Sequence, residues 1–314
     1  MGRVCKKDVG GPHMFRNKWT TFVKARLNCS VPGLYPFYFN QIQSMSPLIR
    51  TKNGEDLVFA VFNTPENSIV GSAVCSFSLN NIRDSFDGPF KVQQDVNSNW
   101  LPLPRHKEPR TRPGQCHVNS KDLDDEHLNF LKENILMDQA VPSSINIPHF
   151  VKTSPHERLT SIAVDPSITT TSGEVVDVLY IGTTRGRVLK LVTLGQETTL
   201  LEEIQLFPLH VSVSNILVVK QSRVVVLSEH EVKSFPVSRC ESPNAVTCGD
   251  CVGLQDPYCA WSVRHQSCQS VENSKDDSSS LLQNIATGQH SGCPSAALDT
   301  SGNSRNCKEI VITV

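Results

Sequence analysis

The chain has 314 residues, 38% of them hydrophobic, and sets 30 Lys+Arg against 31 Asp+Glu for a net charge of -1. That length holds one large domain or two ordinary ones, and the apolar share supports a sizeable core and is too high for a disordered chain. The charge balance argues against a nucleic-acid binder and a polybasic membrane-surface protein, both of which rest on excess cations, and no window approaches 18 consecutive apolar residues, as a spanning helix needs.

Taken in chain order, Met1–Val9 has no apolar leader segment. Lys18–Leu27 then alternates, with Trp19, Thr21, Val23, Ala25 and Leu27 on one face and Thr20, Phe22, Lys24 and Arg26 on the other, which predicts a strand. Asn28-Cys29-Ser30 is a glycosylation sequon at Asn28, opposed if its middle cysteine is bridged. Leu57–Phe62, after the turn signal Lys52–Glu55, and Ile69–Phe77 read as paired strands. From Phe90 to Lys152 the chain carries six prolines and a helical pattern over Ser120–Leu136. Leu123, Leu128, Leu131 and Ile135 share a face there, Ser120 is placed to cap, and Asp122, Asp124, Asp125 and Glu126 suit the positive helix end. A stretch of roughly 60 residues is too long for a plain connection. Inside it, Arg105-His-Lys-Glu-Pro-Arg-Thr-Arg112 is either a solvated, proline-stiffened loop or a contact for an acidic surface.

Beyond the insertion, Val175–Gly182 and Arg187–Val192 flank Thr183–Gly186 as a hairpin. Glu202–Phe207, Ile216–Val219, Arg223–Leu227 and Glu231–Phe235 continue the series. Short antiparallel strands at regular spacing mean a sandwich or a propeller, so the fold class is mainly β.

The cysteines are distributed unevenly. Cys5, Cys29, Cys75 and Cys116 lie in the long first part, whereas Cys240, Cys248, Cys251, Cys259, Cys268, Cys293 and Cys307 crowd the end. A cysteine-dense segment behind a cysteine-poor one indicates an oxidising compartment and a disulfide-stapled module. An oxidising composition without a leader means that the chain is a fragment or that its true start lies upstream. Cys248-Gly-Asp-Cys251 has neither a second CxxC nor the setting of a redox pair, so structural bridges are the better reading. The 10 histidines form no HxH, HExxH or HxxxH motif, and no Gly-x-Ser-x-Gly elbow or phosphate loop follows a strand. No enzyme, cofactor, metal, nucleic acid or small-molecule substrate is implied.

Two blocks carry a family resemblance. Arg3–Gly11 with Asn17–Gly33 resembles the middle of a semaphorin sema domain, and Tyr180–Leu191 resembles a hairpin of one of its late blades. Cys240…Cys248-Gly-Asp-Cys251…Asp256-Pro-Tyr-Cys-Ala-Trp261…Cys268 resembles the plexin–semaphorin–integrin (PSI) module that comes after it, and the details look most like an invertebrate transmembrane semaphorin. The resemblance implies a seven-bladed β-propeller beginning near blade four, so 1–238 is its C-terminal part, with a helical excursion over 90–152. It places the PSI module at 239–294 and a tail at 295–314. An incomplete ring exposes blade faces and strand edges, which implies aggregation or a need for a partner.

The same resemblance implies Cys5–Cys116, Cys29–Cys75, Cys240–Cys259, Cys248–Cys293 and Cys251–Cys268 bridges. Ser262 stands where many relatives place a partner of a fourth PSI bridge, Cys307 is left over, and Trp261 packs beside the bridges. Closing a loop of about 110 residues between Cys5 and Cys116 contributes roughly 4–5 kcal/mol in the chain-entropy model. The implied function is that of an extracellular or cell-surface guidance ligand. It would bind a plexin receptor ectodomain near Lys6–Lys18 and homodimerise through the sema domain of the parent. The alternatives are a plexin-like receptor ectodomain, a hydrolase on a propeller scaffold, and a truncated product without function.

Overall fold

The computed structural model describes residues 1–294 except 13–14, 52–53, 117–120, 122, 220, 242–244, 273 and 275. Ser120, Asp122, Cys307 and the tail therefore lie outside the described residues. The chain divides into two compact units, one of Met1–Thr169 with Gly173–Val237 and one of Thr170–Ser172 with Ser238 onward.

The first unit is mostly strand. β1 (Gly2–Arg3) pairs antiparallel with β2 (Val23–Lys24). A four-strand path then runs through β3 (Gln41–Met45), β4 (Asp56–Asn63), β5 (Ser72–Ser78) and β6 (Phe150–Lys152), each antiparallel to the next. A second sheet is an antiparallel meander of β7 (Leu159–Thr169), β8 (Val175–Thr183), β9 (Arg187–Leu194) and β10 (Glu197–Gln205). A third joins β11 (Asn215–Val219), β12 (Arg223–Leu227) and β13 (Val232–Pro236). Sheets of this up-and-down kind are the repeating element of propellers.

Strands buried on both faces lose the polar alternation of a one-sided sheet. β4 and β5 show this: Phe59, Val61 and Val74 pack toward Leu159, Leu179, Ile181 and Leu189 of the second sheet. Val58, Ala60, Phe62, Ala73 and Phe77 face Phe86, Phe90, Leu131 and Met137 on the opposite side. That second layer comes from α1 (Leu79–Asp87), capped by the Ser78 hydroxyl, and from α2 (Asp125–Glu133). The excursion thus leaves the first sheet after β5, covers its outer face and returns as β6. Its far side is hydrogen-bonded to β2 and the residues after it, through Lys24 N to Ile135 O, Met137 N to Lys24 O and Val141 N to Arg26 O, each 2.8 Å.

Several elements differ from the sequence reading, each for a local reason. The predicted strand over Lys18–Leu27 narrows to β2 and the pair Leu27–Asn28, because the amides of Thr20 and Thr21 turn to the Asp8 carboxylate. β5 begins at Ser72 rather than Ile69, since the Thr64 hydroxyl closes the preceding turn on Ile69 O and Gly71 N. α2 starts at Asp125, with the Asp124 side chain accepting from His127 N at 2.8 Å. β7 was not predicted because it contains Pro166, which the structure accommodates in a register shift between Asp165 and Ile168.

The second unit holds α3 (Cys248–Gly253), opened by a reciprocal Thr247–Asp250 capping box, and a sheet of β14 (Cys259–Ser262), β15 (Ser267–Ser270) and β16 (Leu281–Leu282), with β14 central. Its core is cysteine with Val252 and Trp261, which is 7% exposed. No helix among the described residues is long and apolar enough to cross a membrane.

Candidate partner-binding surface

The Cys5–Phe22 loop is built around one carboxylate. Asp8 Oδ2 accepts from Thr20 N (2.8 Å), Thr21 N (2.8 Å) and Thr21 Oγ1 (2.7 Å), while Oδ1 accepts from Gly10 N (2.9 Å) and Thr20 Oγ1 (3.2 Å). Thr21 Oγ1 in turn accepts from Cys5 N at 3.0 Å. Burial on its own would raise the Asp8 carboxyl, but the hydrogen bonds from Thr21, Gly10 and Thr20 outweigh it and hold the group below its ordinary value. Gly10 has φ +84°, and a Cβ there would meet Phe15 O and Lys18 O at 3.1 Å, so only glycine fits without strain.

This frame presents side chains outward. Trp19 is 62% exposed, held by stacking on Phe22 with ring centroids 6.2 Å apart, and Val9 is 66% exposed. Lys6, Lys7, Arg16 and Lys18 are exposed around them. A hydrogen-bonded frame offering tryptophan among cations has the composition of an interface anchor. The sequence placed Trp19 on a strand face; its role as a presented ring comes from Asp8, whose partners lie 12 and 13 residues away.

Among the described residues ten cysteines sit as five bridges: Cys5–Cys116, Cys29–Cys75, Cys240–Cys259, Cys248–Cys293 and Cys251–Cys268, with S–S distances of 2.00–2.07 Å. The two cysteines of the CxxC go to different partners. Ser262 is buried and donates to Asp276 Oδ2 at 2.5 Å. Asn28 is half-buried, with its Oδ1 enclosed, and precedes the bridged Cys29.

The basic run divides. Arg112 turns inward, pairing with Glu108 at 2.7 Å, whereas Arg105, His106, Lys107 and Arg110 are exposed. One further cluster escaped the sequence reading. His149 joins Ser76 Oγ (2.8 Å, Nε2) and Thr198 Oγ1 (3.2 Å, Nδ1) beside a cavity of about 460 Å³ lined also by Glu55 and Asp177. Burial lowers the imidazole to about 4, so it stays neutral and ties β5 to β10. Among the described residues no group of three or more His, Cys, Asp or Glu is arranged to hold a metal ion.

Comparison with known proteins gives the same two modules. The Sema domain family matches residues 42–220 and the Plexin repeat (PSI) family residues 239–294. Semaphorin-1A of Schistocerca americana is 46% identical over 310 residues, which make up 93% of this chain and 42% of that protein. The chain thus spans about two fifths of the length of the curated relatives it matches. Drosophila Semaphorin 1a, extracellular domains 1-2, superposes with a TM-score of 0.85 at 44% identity, covering 93% of this chain and 60% of that one. A chain of the complex of Drosophila Plexin A with Semaphorin 1b matches with a TM-score of 0.85 at 39% identity, covering 91% and 58%.

Proposed function

The chain belongs to the semaphorin family, and from that premise we propose that it carries the plexin-binding function of a guidance ligand, acting outside the cell or at its surface to steer axons and migrating cells. The observation that carries this reading is the match, at a TM-score of 0.85, to a complex of a semaphorin with Plexin A. The Asp8-framed loop supports it by offering Trp19 and four cations on a preorganised backbone, which lowers the ordering cost of binding. Signalling on this reading is contact: the chain binds, and the receptor carries the response inward. In the full-length parent the sema domains pair as a homodimer, which gains avidity for a clustered receptor.

The test is binding of the folded, bridged chain to an immobilised plexin ectodomain. Saturable binding is expected, and Trp19→Ala weakens it about 30-fold, as truncation of a central aromatic anchor does. A correctly folded chain that shows no binding sinks the reading. Binding untouched by Trp19→Ala removes the loop from the contact and leaves the family function standing.

A further inference from the structure

We propose that the exposed loop Arg105–Arg110 is a docking site for a sulfated glycosaminoglycan. Arg105–Lys107 forms a single 3-10 turn, and the side chains of Arg105, His106, Lys107 and Arg110 all face solvent. The acid within the run, Glu108, is consumed by Arg112 at 2.7 Å, with both side chains largely buried. Among the described residues Arg105, Lys107 and Arg110 make no ion pair, so three permanent positive charges stand together in six residues.

The loop is held before any ligand arrives. Arg112 donates to Gly88 O and to Phe86 O (3.3 Å) and lies over the Phe90 ring at 5.2 Å. Lys107 N and Glu108 N close the turn on Pro104 O and Arg105 O at 2.9 and 3.1 Å. Pro104, Pro109 and Pro113 stiffen the backbone, and the Cys5–Cys116 bridge anchors the C-terminal end of the segment. Ordering cost on binding is therefore small.

The compartment selects the polyanion. Five disulfides place the chain in an oxidising space, away from nucleic acid and from the anionic cytoplasmic leaflet that attracts polybasic segments. Sulfated polysaccharide is the dense polyanion of that space, and guanidinium matches the oxygen pairs of a sulfate as it does those of a phosphate. Opposing charge is also present: Asp125 and Glu126 are exposed in the first turn of α2, and His127 Nδ1 of that helix lies 3.2 Å from Thr111 O. On this proposal these carboxylates oppose an approaching polyanion and moderate its affinity.

The experiment uses the full, bridged chain on immobilised heparin, with a sulfopropyl resin as the plain cation-exchange control and a salt series on immobilised heparan sulfate. The expected result is later elution from heparin than from the sulfopropyl resin, with a log–log salt slope of about 3 by counterion release. Arg105→Ala/Lys107→Ala/Arg110→Ala should lower heparan sulfate affinity about 10-fold or more at an unchanged melting temperature. Asp125→Asn/Glu126→Gln should raise retention. Wild-type heparin affinity in the triple variant overturns the proposal, as does equal competition by desulfated heparin. So does loss of phosphatidylserine-vesicle or plexin-ectodomain binding in that variant while heparin binding is unchanged. Plexin binding is read on a separate surface, so failure here leaves the receptor reading intact.

Discussion

At the scale of single residues, two buried or clamped titratable groups carry more of the structure than their neighbours. Asp8 receives five hydrogen bonds within one loop. Charge-assisted bonds are the stronger kind, and losing their acceptor leaves the Thr20 and Thr21 amides unpaired. Asp8→Ala is expected to cost about 2–3 kcal/mol, read as a lowered urea midpoint, and to speed amide exchange at Thr20 and Thr21. Unchanged exchange there would show that the clamp does not order the loop. His149 is coupled to pH in a definite direction. Its folded value lies near 4, below the ordinary 6.5, so the unfolded chain binds the extra proton between these limits. Stability is therefore full above about 6.5 and declines as pH falls toward 4, by about 3 kcal/mol for this group. His149→Gln should flatten the dependence of unfolding free energy on pH over that window. An unaltered slope would assign the pH dependence elsewhere.

At the scale of elements, the hairpin of β8 and β9 was legible because β-branched runs flank Gly186, whose φ of +70° suits the turn. β7 was illegible because a proline inside a run argues against a strand, and only the bulge at Asp165–Ile168 reconciles the two. α1 escaped notice for a different reason. Its nine residues bury only Ile82, Ser85 and Phe86, too short a stripe to stand out beside two strong strands. The bridges were legible through family resemblance, whereas the presentation of Trp19 was not, because it depends on a carboxylate distant in sequence. Charge also joins elements. Glu157, 4% exposed, takes Lys152 Nζ of β6 at 3.1 Å and Arg187 Nε of β9 at 3.5 Å, and Arg187 reaches Glu203 of β10 at 2.8 Å. Removing one member of a buried set strands the others. Glu157→Ala is expected to cost about 3 kcal/mol, whereas Glu203→Ala, at the open side, costs about 1 kcal/mol or less. Equal losses in thermal melts of the two variants would contradict a buried hub.

At the scale of the whole molecule, the two units rest on different forces. The first buries large apolar side chains from several sheets, whereas the core of the second is largely cystine. A module of under 60 residues buries too little for a strong core of its own, and its three bridges span 19, 45 and 17 residues. Each contributes about 3–4 kcal/mol in the chain-entropy model. Mild reduction should therefore release 238–294 to fast hydrogen exchange while the sheets of the first unit stay protected. Simultaneous loss of protection in both would show that the two are one cooperative body.

The Cys5–Cys116 bridge has a consequence of covalent topology. It closes a ring 111 residues around, within which Cys29–Cys75 forms a smaller ring. The arginine-rich loop lies inside the larger ring, with Arg110 exposed to a trypsin-like protease. A nick there parts the backbone without parting the molecule, because the two pieces stay joined through sulfur. On a denaturing gel such material runs as one band until a reductant is added and as two afterwards. Extracellular cleavage at this loop would change the local chain ends and their charges, yet neither piece would leave.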